Sequence, residues 1–569
     1  MNIILVAINA KFIHSSLAVH SLYSYLGEEK KHVLIKEFTV NHPEDLIISE
    51  LFKLKPDVLA FSCYIWNITM VLSIAQTFKK ILPETKIVVG GPEASYEYEG
   101  LFAYGVDIVV PGEGERAFKA LVQHFLNKTS MQEISMFIKS KKTIFENTSH
   151  IDDLAKDILL EDIPFPYGND YEKFHNFKNR IIYYETSRGC PNQCGFCLSS
   201  VTQGVRFLPI DRVKADLSAF LSAKVHQVKF VDRTFNCDKK HAMDIWSYLI
   251  QNDNDITNFH FEIGGGLLDA ETVSLIGQAR KGLFQFEIGV QSTNPDTLTA
   301  INRSVDNQKL FKNIWKLKAL GNVHLHLDLI VGLPYEDYSS FIKSFNDVMA
   351  CFPPKLQIGF LKLLKGSSLR KNAAKYGIKF KEQPPYEILS NNFMEFGAIN
   401  KLKKIENMVD MFYNSGGYQC FIRFMFQKFN SPFGFFEALS SYWEQNGYHL
   451  VSHKKAALYT ILYEFSKNSL PDTDAGDEGQ VSAAISELLK FDMLLKENIR
   501  TFPSWIDAYY SYDHKQITKT TGVHGFKYDI CAWLKQTDEK FLIPLKKAEI
   551  KVLFDYTRVY EERYTCISF

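Results

Sequence analysis

The sequence predicts an α/β protein in three parts: an N-terminal doubly wound parallel sheet of Rossmann-like form, a central partial (β/α)6 barrel, and a mainly helical C-terminal domain. Three observations carry that prediction. Short apolar runs alternate with helical patterns over residues 1–130. The rhythm stops over residues 131–179 and resumes at 180. Beyond about Pro384 it gives way to aromatic-rich helical patterns such as Asn407–Gln427 and Gly434–Gln445. A chain of 569 residues is too long for one hydrophobic core. The parts are therefore set at 1–130, a connector at 131–179, the barrel at 180–378 and the helical domain at 379–569.

In the first part the expected strands are Ile3–Ile8, Val33–Phe38, Val58–Ser62, Lys86–Val89 and Asp107–Val110. Turn-forming residues follow them: Asn9, Asn41-His42-Pro43, Trp66-Asn67, Gly90-Gly91-Pro92 and Gly112-Glu113-Gly114. In such a sheet a ligand sits outside the carboxyl ends of the strands, so the turns should carry function. Asp152-Asp153, Asp162–Pro166 and Tyr167-Gly168 read as a surface connector. The barrel strands are expected at Ile181–Glu185, Val228–Asp232, His260–Ile263, Phe284–Val290, His324–Val331 and Leu356–Phe360. The acidic, glycine-containing stretch Asp472–Gly479 reads as an exposed loop.

Lys+Arg and Asp+Glu balance at 65 each, so no global field draws the chain onto nucleic acid or an acidic membrane. The segment Met1–Val6 reads as a first strand, not a signal peptide. Val58–Phe78 carries no formal charge, but Ser62, Asn67, Thr69 and Gln76 interrupt it, and it divides into a strand, a turn and a helix. A soluble cytoplasmic protein is expected. The nine cysteines are odd in number and mostly scattered, which argues against a disulfide framework and for a reducing compartment. Cys63, Cys237, Cys351, Cys420, Cys531 and Cys566 read as single buried thiols.

Cys190, Cys194 and Cys197 are different. They share one loop at C-x3-C-x2-C spacing, just past the strand Ile181–Glu185. An iron–sulfur cluster needs soft anionic ligands, and three thiolates on a four-iron cluster leave one iron open. Structural zinc wants four closed ligands, and no second CxxC or nearby CxxH completes a set. Unpaired structural thiols placed so tightly beside Gly189, Pro191 and Gly195 would be coincidence.

The run Ser187-Arg-Gly-Cys-Pro-Asn-Gln-Cys-Gly-Phe-Cys197 resembles the signature of the radical S-adenosylmethionine (SAM) superfamily, with aromatic Phe196 before the third cysteine. The resemblance implies a 4Fe-4S cluster, SAM chelated at the open iron, and one-electron cleavage of SAM to methionine and a 5′-deoxyadenosyl radical that abstracts hydrogen from substrate. It also implies an external reductant of flavodoxin or ferredoxin type. By the family's order of strand ends, Asp232 stands at the motif for the SAM amino group. Glu262 and Gly264-Gly265-Gly266 follow on the third strand, Gln291 on the fourth and Asp328 on the fifth. The usual Gly-Gly-Glu is absent after the second strand. Asp328 replaces the first Gly of the fifth-strand pattern, and Glu336 is displaced by one position.

Ser62, Gly90-Gly91-Pro92 and Gly112-Glu113-Gly114-Glu115, in that order before the cysteine loop, resemble the cobalamin-binding domain that precedes the radical SAM domain in one large subgroup. Taken singly, a Gly-Gly after a strand reads as a turn. Many cobalamin domains carry an Asp-x-His-x-x-Gly loop whose His ligates cobalt. Here the loop is Asn9-Ala-Lys11-Phe-Ile-His14, so Lys11 stands in the ligand's place, and an ammonium offers no lone pair. No imidazole is expected on cobalt from that position. His14 reads equally as a cofactor contact or as a helix-start side chain bonded to backbone. Asn9–Ser16 and Leu356–Leu364 are similar to a subgroup whose C-terminal region has no assigned activity.

These resemblances imply an enzyme using both cofactors to methylate, rearrange or oxidise a small-molecule or natural-product substrate. Two other classes compete. RNA methylthiolation needs a second cluster with three more cysteines in the N-terminal part, where only Cys63 lies. A non-catalytic cluster and cobalamin sensor would not make 5′-deoxyadenosine.

Overall fold

The computed structural model describes residues 1–135, 137–140, 158–168, 179–201, 204–470, 478–499, 501–506, 518, 520–535, 545–558 and 562–567. Asp152-Asp153 and residues 472–477 of the acidic stretch lie outside them. Glu478 already belongs to the helix Glu478–Lys496.

Alternate residues of β1 (Ile3–Asn9) enter two separate cores: Ile4, Val6 and Ile8 pack in one, Ile3, Leu5 and Ala7 in the other. A strand apolar on both faces belongs inside a sheet covered on both sides. With β2 (Val33–Thr39), β3 (Val58–Ser62), β4 (Lys86–Gly90), β5 (Ile108–Val110) and β6 (Lys139–Ser140), the order is β2-β1-β3-β4-β5-β6. The first five pair in parallel, and β6 pairs antiparallel to β5. The order reverses between β1 and β3, the switch point at which such sheets bind ligands. The uncharged run Val58–Phe78 becomes β3 and part of the helix Ile68–Ile81. No helix among the described residues is long and apolar enough to cross a membrane.

The second sheet begins with β7 (Ile181–Tyr184). A two-stranded antiparallel pair, β8 (Ser187–Gly189) and β9 (Val205–Phe207), flanks the cysteine-bearing loop on either side. The sheet then continues through β10 (Gln227–Phe230), β11 (Asn258–Glu262), β12 (Phe284–Gln291), β13 (His324–Val331) and β14 (Lys355–Phe360), in the order β14-β13-β12-β11-β10-β7. From β7 to β13 the pairing is parallel. One face of these strands carries Phe230, Phe259, Phe261, Phe284 and Phe286, fully buried and in mutual ring contact. The other face is polar, and it forms the inner wall of the barrel. A short pair, β15 (Lys379–Phe380) and β16 (Ile388–Ser390), completes this part.

The chain divides into two compact units, residues 1–337 with 359–395, and residues 338–358 with 396–569. The second is mainly helical. The expected continuous pattern Asn407–Gln427 is in fact broken: the helix Phe396–Met408 runs through a π turn and ends, and Gln419–Phe426 starts anew. Gly416, at φ +68°, lies in the break. The unit also carries an antiparallel sheet of β17 (Thr521–Tyr528), β18 (Lys547–Asp555) and β19 (Tyr564–Ile567). Here the reading of six single thiols needs correction, because Cys531 and Cys566 form a disulfide. They are 35 residues apart, Cys531 in the helix Ile530–Lys535 and Cys566 on β19. Cys63, Cys351 and Cys420 are buried outside that disulfide, and Cys237 is half-buried.

Asp492 lies fully buried in the helix Glu478–Lys496 and accepts the backbone N–H groups of Cys420 (3.1 Å) and Phe421 (2.9 Å), capping Gln419–Phe426 from outside it. Burial pushes its carboxyl up to about 7 in spite of those donors. A raised acid pKa in the folded state favours folding at low pH, and that contribution is lost as pH rises through the folded value. Hydrogen-exchange protection of residues 419–426 should therefore fall between about pH 4 and pH 7, and Asp492→Asn should flatten that slope.

Candidate active site

The cysteine loop is fixed at both ends. Asp232, expected at the SAM amino group, is 1% exposed. Its Oδ2 accepts from Thr186 N (3.0 Å), and its Oδ1 from the hydroxyls of Thr186 and Ser187 (both 2.6 Å). It therefore anchors the start of the loop. Burial pushes its carboxyl up to about 6. Gly189 sits at φ +109°, and a Cβ there would lie 2.2 Å from Gly204 O, so only glycine fits between β8 and β9. At the other end Gly195 N donates to Ile301 O (2.9 Å), Leu369 N to Gly195 O (2.8 Å) and Cys197 N to Cys194 O (3.0 Å).

Cys194 is 5% exposed, while Cys190, Phe196 and Cys197 are half-buried. Thr234 Oγ1 lies 3.5 Å from Cys190 Sγ, and Arg303 Nη1 donates to Cys194 Sγ at 3.5 Å. Burial raises the Cys194 thiol and Arg303 opposes it. Three sulfur donors with a guanidinium beside one of them suit an anionic iron–sulfur cluster.

Glu262 and Gln291 end β11 and β12, and Asp328 stands opposite Gly289 across β12 and β13. The structure brings these three to adjacent strands at the carboxyl end of the barrel. Gln291 is held at φ +68° where the register shifts, and its buried Oε1 has no hydrogen-bond partner among the described residues. A buried acceptor left open beside a three-sulfur loop fits SAM. Burial raises the Glu262 carboxyl, with Arg233 opposing it.

The loops after β1 and β3 expose a cradle the sequence reading missed. Phe12 is 60% exposed, Ile13 44% and Trp66 46%, and Tyr64 stacks on Trp66 with ring centroids 4.4 Å apart. The Trp66 indole donates to Ile8 O at 3.1 Å, which fixes it at the switch point. Flat apolar surface there fits the broad ring of cobalamin. Lys11 is exposed on the same loop. Asn9 instead shapes the loop, donating to His14 O (3.2 Å) and Glu37 (2.8 Å). The His14 ring meets the Tyr183 hydroxyl through Nδ1 at 2.8 Å, so its partner is neither backbone nor, at that nitrogen, a cofactor.

Ser62 is buried, and Pro92 opens the turn of helix Pro92–Ser95. Gly90 and Gly91 pack against protein: a Cβ on Gly91, at φ +99°, would lie 2.7 Å from Cys63 O, and one on Gly90 3.3 Å from Val110 O. Gly112 N donates to Ser95 Oγ (2.9 Å). Glu113, expected at a cofactor, accepts from Arg188 and Arg206 through its two oxygens. Arg188 also binds Glu115 (2.9 Å) and Glu185 (2.8 Å), so the Gly112–Glu115 turn clamps the residue two places before Cys190. Arg188 and Arg303 were legible only as letters near a motif; their partners lie far off in sequence.

Residues 3–122 match the family model of the B12 binding domain, 184–348 that of the radical SAM superfamily, and 374–516 a protein of unknown function, DUF4080. The chain is 26% identical over 317 residues to the cobalamin-dependent radical SAM methyltransferase TokK of Streptomyces tokunonensis, covering 50% of this chain and 44% of that protein. It thus spans about half the length of such curated relatives. The fold is similar to the cobalamin-dependent SAM radical enzyme OxsB, solved with aqua-cobalamin (TM-score 0.58, 15% identity, 89% of this chain and 82% of that one). It is also similar to the radical SAM methyltransferase TsrM of Kitasatospora setae, solved with cobalamin and a [4Fe-4S] cluster (TM-score 0.51, 13% identity, 68% and 82%). One chain thus carries a B12 binding domain, a radical SAM domain and a third domain of unknown function, and it is similar over half its length to cobalamin-dependent radical SAM methyltransferases.

Proposed function

We propose that this chain cleaves SAM reductively and transfers a methyl group to a small-molecule substrate in the cytoplasm, with electrons from a flavodoxin- or ferredoxin-type donor. The observation that carries the reading is the three-thiol loop beside strand ends that keep an open buried acceptor at Gln291. When bound, the cluster, SAM and cobalamin supply electron transfer, hydrogen abstraction and the methyl group. The chain's own residues do the rest. Cys190, Cys194 and Cys197 hold the cluster, and Arg303 donates to the Cys194 sulfur. Glu262, Gln291 and Asp328 orient SAM. Phe12, Ile13, Tyr64 and Trp66 present an apolar face to the corrin and keep water from it. Asp232 and Arg188 fix the loop that carries the cysteines.

The reading is tested on the anaerobically reconstituted chain given SAM, hydroxocobalamin and reductant, so that SAM is the only source of methyl groups. It should form 5′-deoxyadenosine, and with substrate also S-adenosylhomocysteine. Absence of the first removes the radical reading, and absence of the second alone removes methyl transfer. RNA methylthiolation is the weaker alternative, because Cys63 is fully buried and no other cysteine precedes Cys190 to hold a second cluster.

A further inference from the structure

The polar face of the barrel holds a donor set unrelated to the cysteine loop. His260 on β11, Glu287 on β12 and His326 on β13 occupy three adjacent strands, and one ligand atom from each lies within 4.8 Å of the others. His260 and His326 are 6% and 9% exposed, and the Glu287 side chain 19%. Strand register makes the meeting: Glu287 stands opposite His326, and His260 opposite Gln285. The Phe259, Phe261 and Phe286 side chains alternate with these residues and point into the aromatic core, so the donors face the lumen.

We infer that His260, Glu287 and His326 form a binding site for a divalent transition ion, zinc or ferrous iron, inside the barrel. Two imidazoles and one carboxylate are donors for such ions, and three protein ligands leave a further position for water or a substrate group. The surroundings provide the outer contacts such a site needs. The Gln285 side-chain amide lies 3.3 Å from His260 Nδ1 and 3.0 Å from His326 Nε2. A half-turn of that amide presents its oxygen to both nitrogens, fixing the tautomers that leave His260 Nε2 and His326 Nδ1 for the ion. His260 Nε2 already lies 3.0 Å from Glu287 Oε2. Lys229 Nζ, also 3.0 Å from Oε2, is a cation that competes with the ion for this carboxylate, whose other oxygen, Oε1, remains for the ion.

Lys229 also sets the competing account, in which the cluster is only an ion-pair network. The test uses the full chain carrying C190A, C194A and C197A together, so that no iron–sulfur cluster contributes metal. This makes the result independent of the proposed function. The protein is loaded with zinc alone and dialysed. About one zinc ion per chain should remain, with a zinc-dependent rise in melting temperature. His326→Gln should weaken binding about tenfold or more, and His260→Gln serves the same purpose where that variant fails to fold. Lys229→Met should keep or strengthen binding, because it removes a cation beside the site. Zinc retention no greater than in the histidine variants, or zinc lost on Lys229→Met in a chain that still melts cooperatively, overturns the assignment.

Discussion

A Cys194→Ala chain, reconstituted anaerobically with iron and sulfide, should show no [4Fe-4S] signal by electron paramagnetic resonance. It should form 5′-deoxyadenosine only at background, while still binding cobalamin at its N-terminal sheet. The expectation follows from coordination: two remaining thiolates cannot hold a four-iron cluster against hydrolysis, and serine, a harder oxygen donor, should not rescue it. Cys194 is the most buried of the three, so alanine leaves only a small void and the fold should survive. The informative control is Cys237. Its thiol is half-buried and raised by burial, with Cys190 near enough to add to that. Cys237→Ala should leave the cluster and SAM cleavage intact. If instead it removed the cluster, all four irons would carry protein ligands and no vertex would remain for SAM.

Much of this architecture is legible in the sequence because each strand is a short apolar run bounded by turn residues. The expected strand His324–Val331 matches β13 at both ends. The cysteine loop is legible for the same kind of reason, since its three donors are local. What stays hidden is what the folded sheet brings together. His260, Gln285, Glu287 and His326 are alternating strand residues with nothing in their spacing to mark a cluster, and only parallel register makes them neighbours. The disulfide between Cys531 and Cys566 is hidden likewise. The donors that hold Asp232 and Glu113 were hidden as well, because Thr186 and Arg188 reach them from 46 and 75 residues away. The break in Asn407–Gln427 was visible as Gly416-Gly417, outweighed by the aromatic periodicity around it.

The largest stability effect should come from Arg188→Met. Arg188 forms ion pairs with Glu113 (2.8 Å), Glu115 (2.9 Å) and Glu185 (2.8 Å), and its side chain is 20% exposed. Removing one partner of a buried ion pair costs about 3–5 kcal/mol, because the other charge is left in a poor solvent. Here three carboxylates lose the same cation, although Arg206 still serves Glu113. The sign of the pH response separates this account from simple loss of packing. In the native chain burial raises Glu115, but Arg188 and Ser21 overcome it and hold the carboxyl below its ordinary value. Its contribution is therefore present above the unfolded value of 4.5 and lost as pH falls. Without Arg188 burial is largely unopposed, the folded value rises above the unfolded one, and the variant should lose stability as pH rises. Melting temperatures across about pH 5 to pH 8 should thus diverge, with the deficit of Arg188→Met largest at the alkaline end. Arg188→Lys keeps the charge but not the planar fork, and should recover the pH response while regaining only part of the stability. A deficit for Arg188→Met that stays constant with pH would mean that the residue acts through its bulk. The clamp between the Gly112–Glu115 turn and the cysteine loop would then have no electrostatic basis.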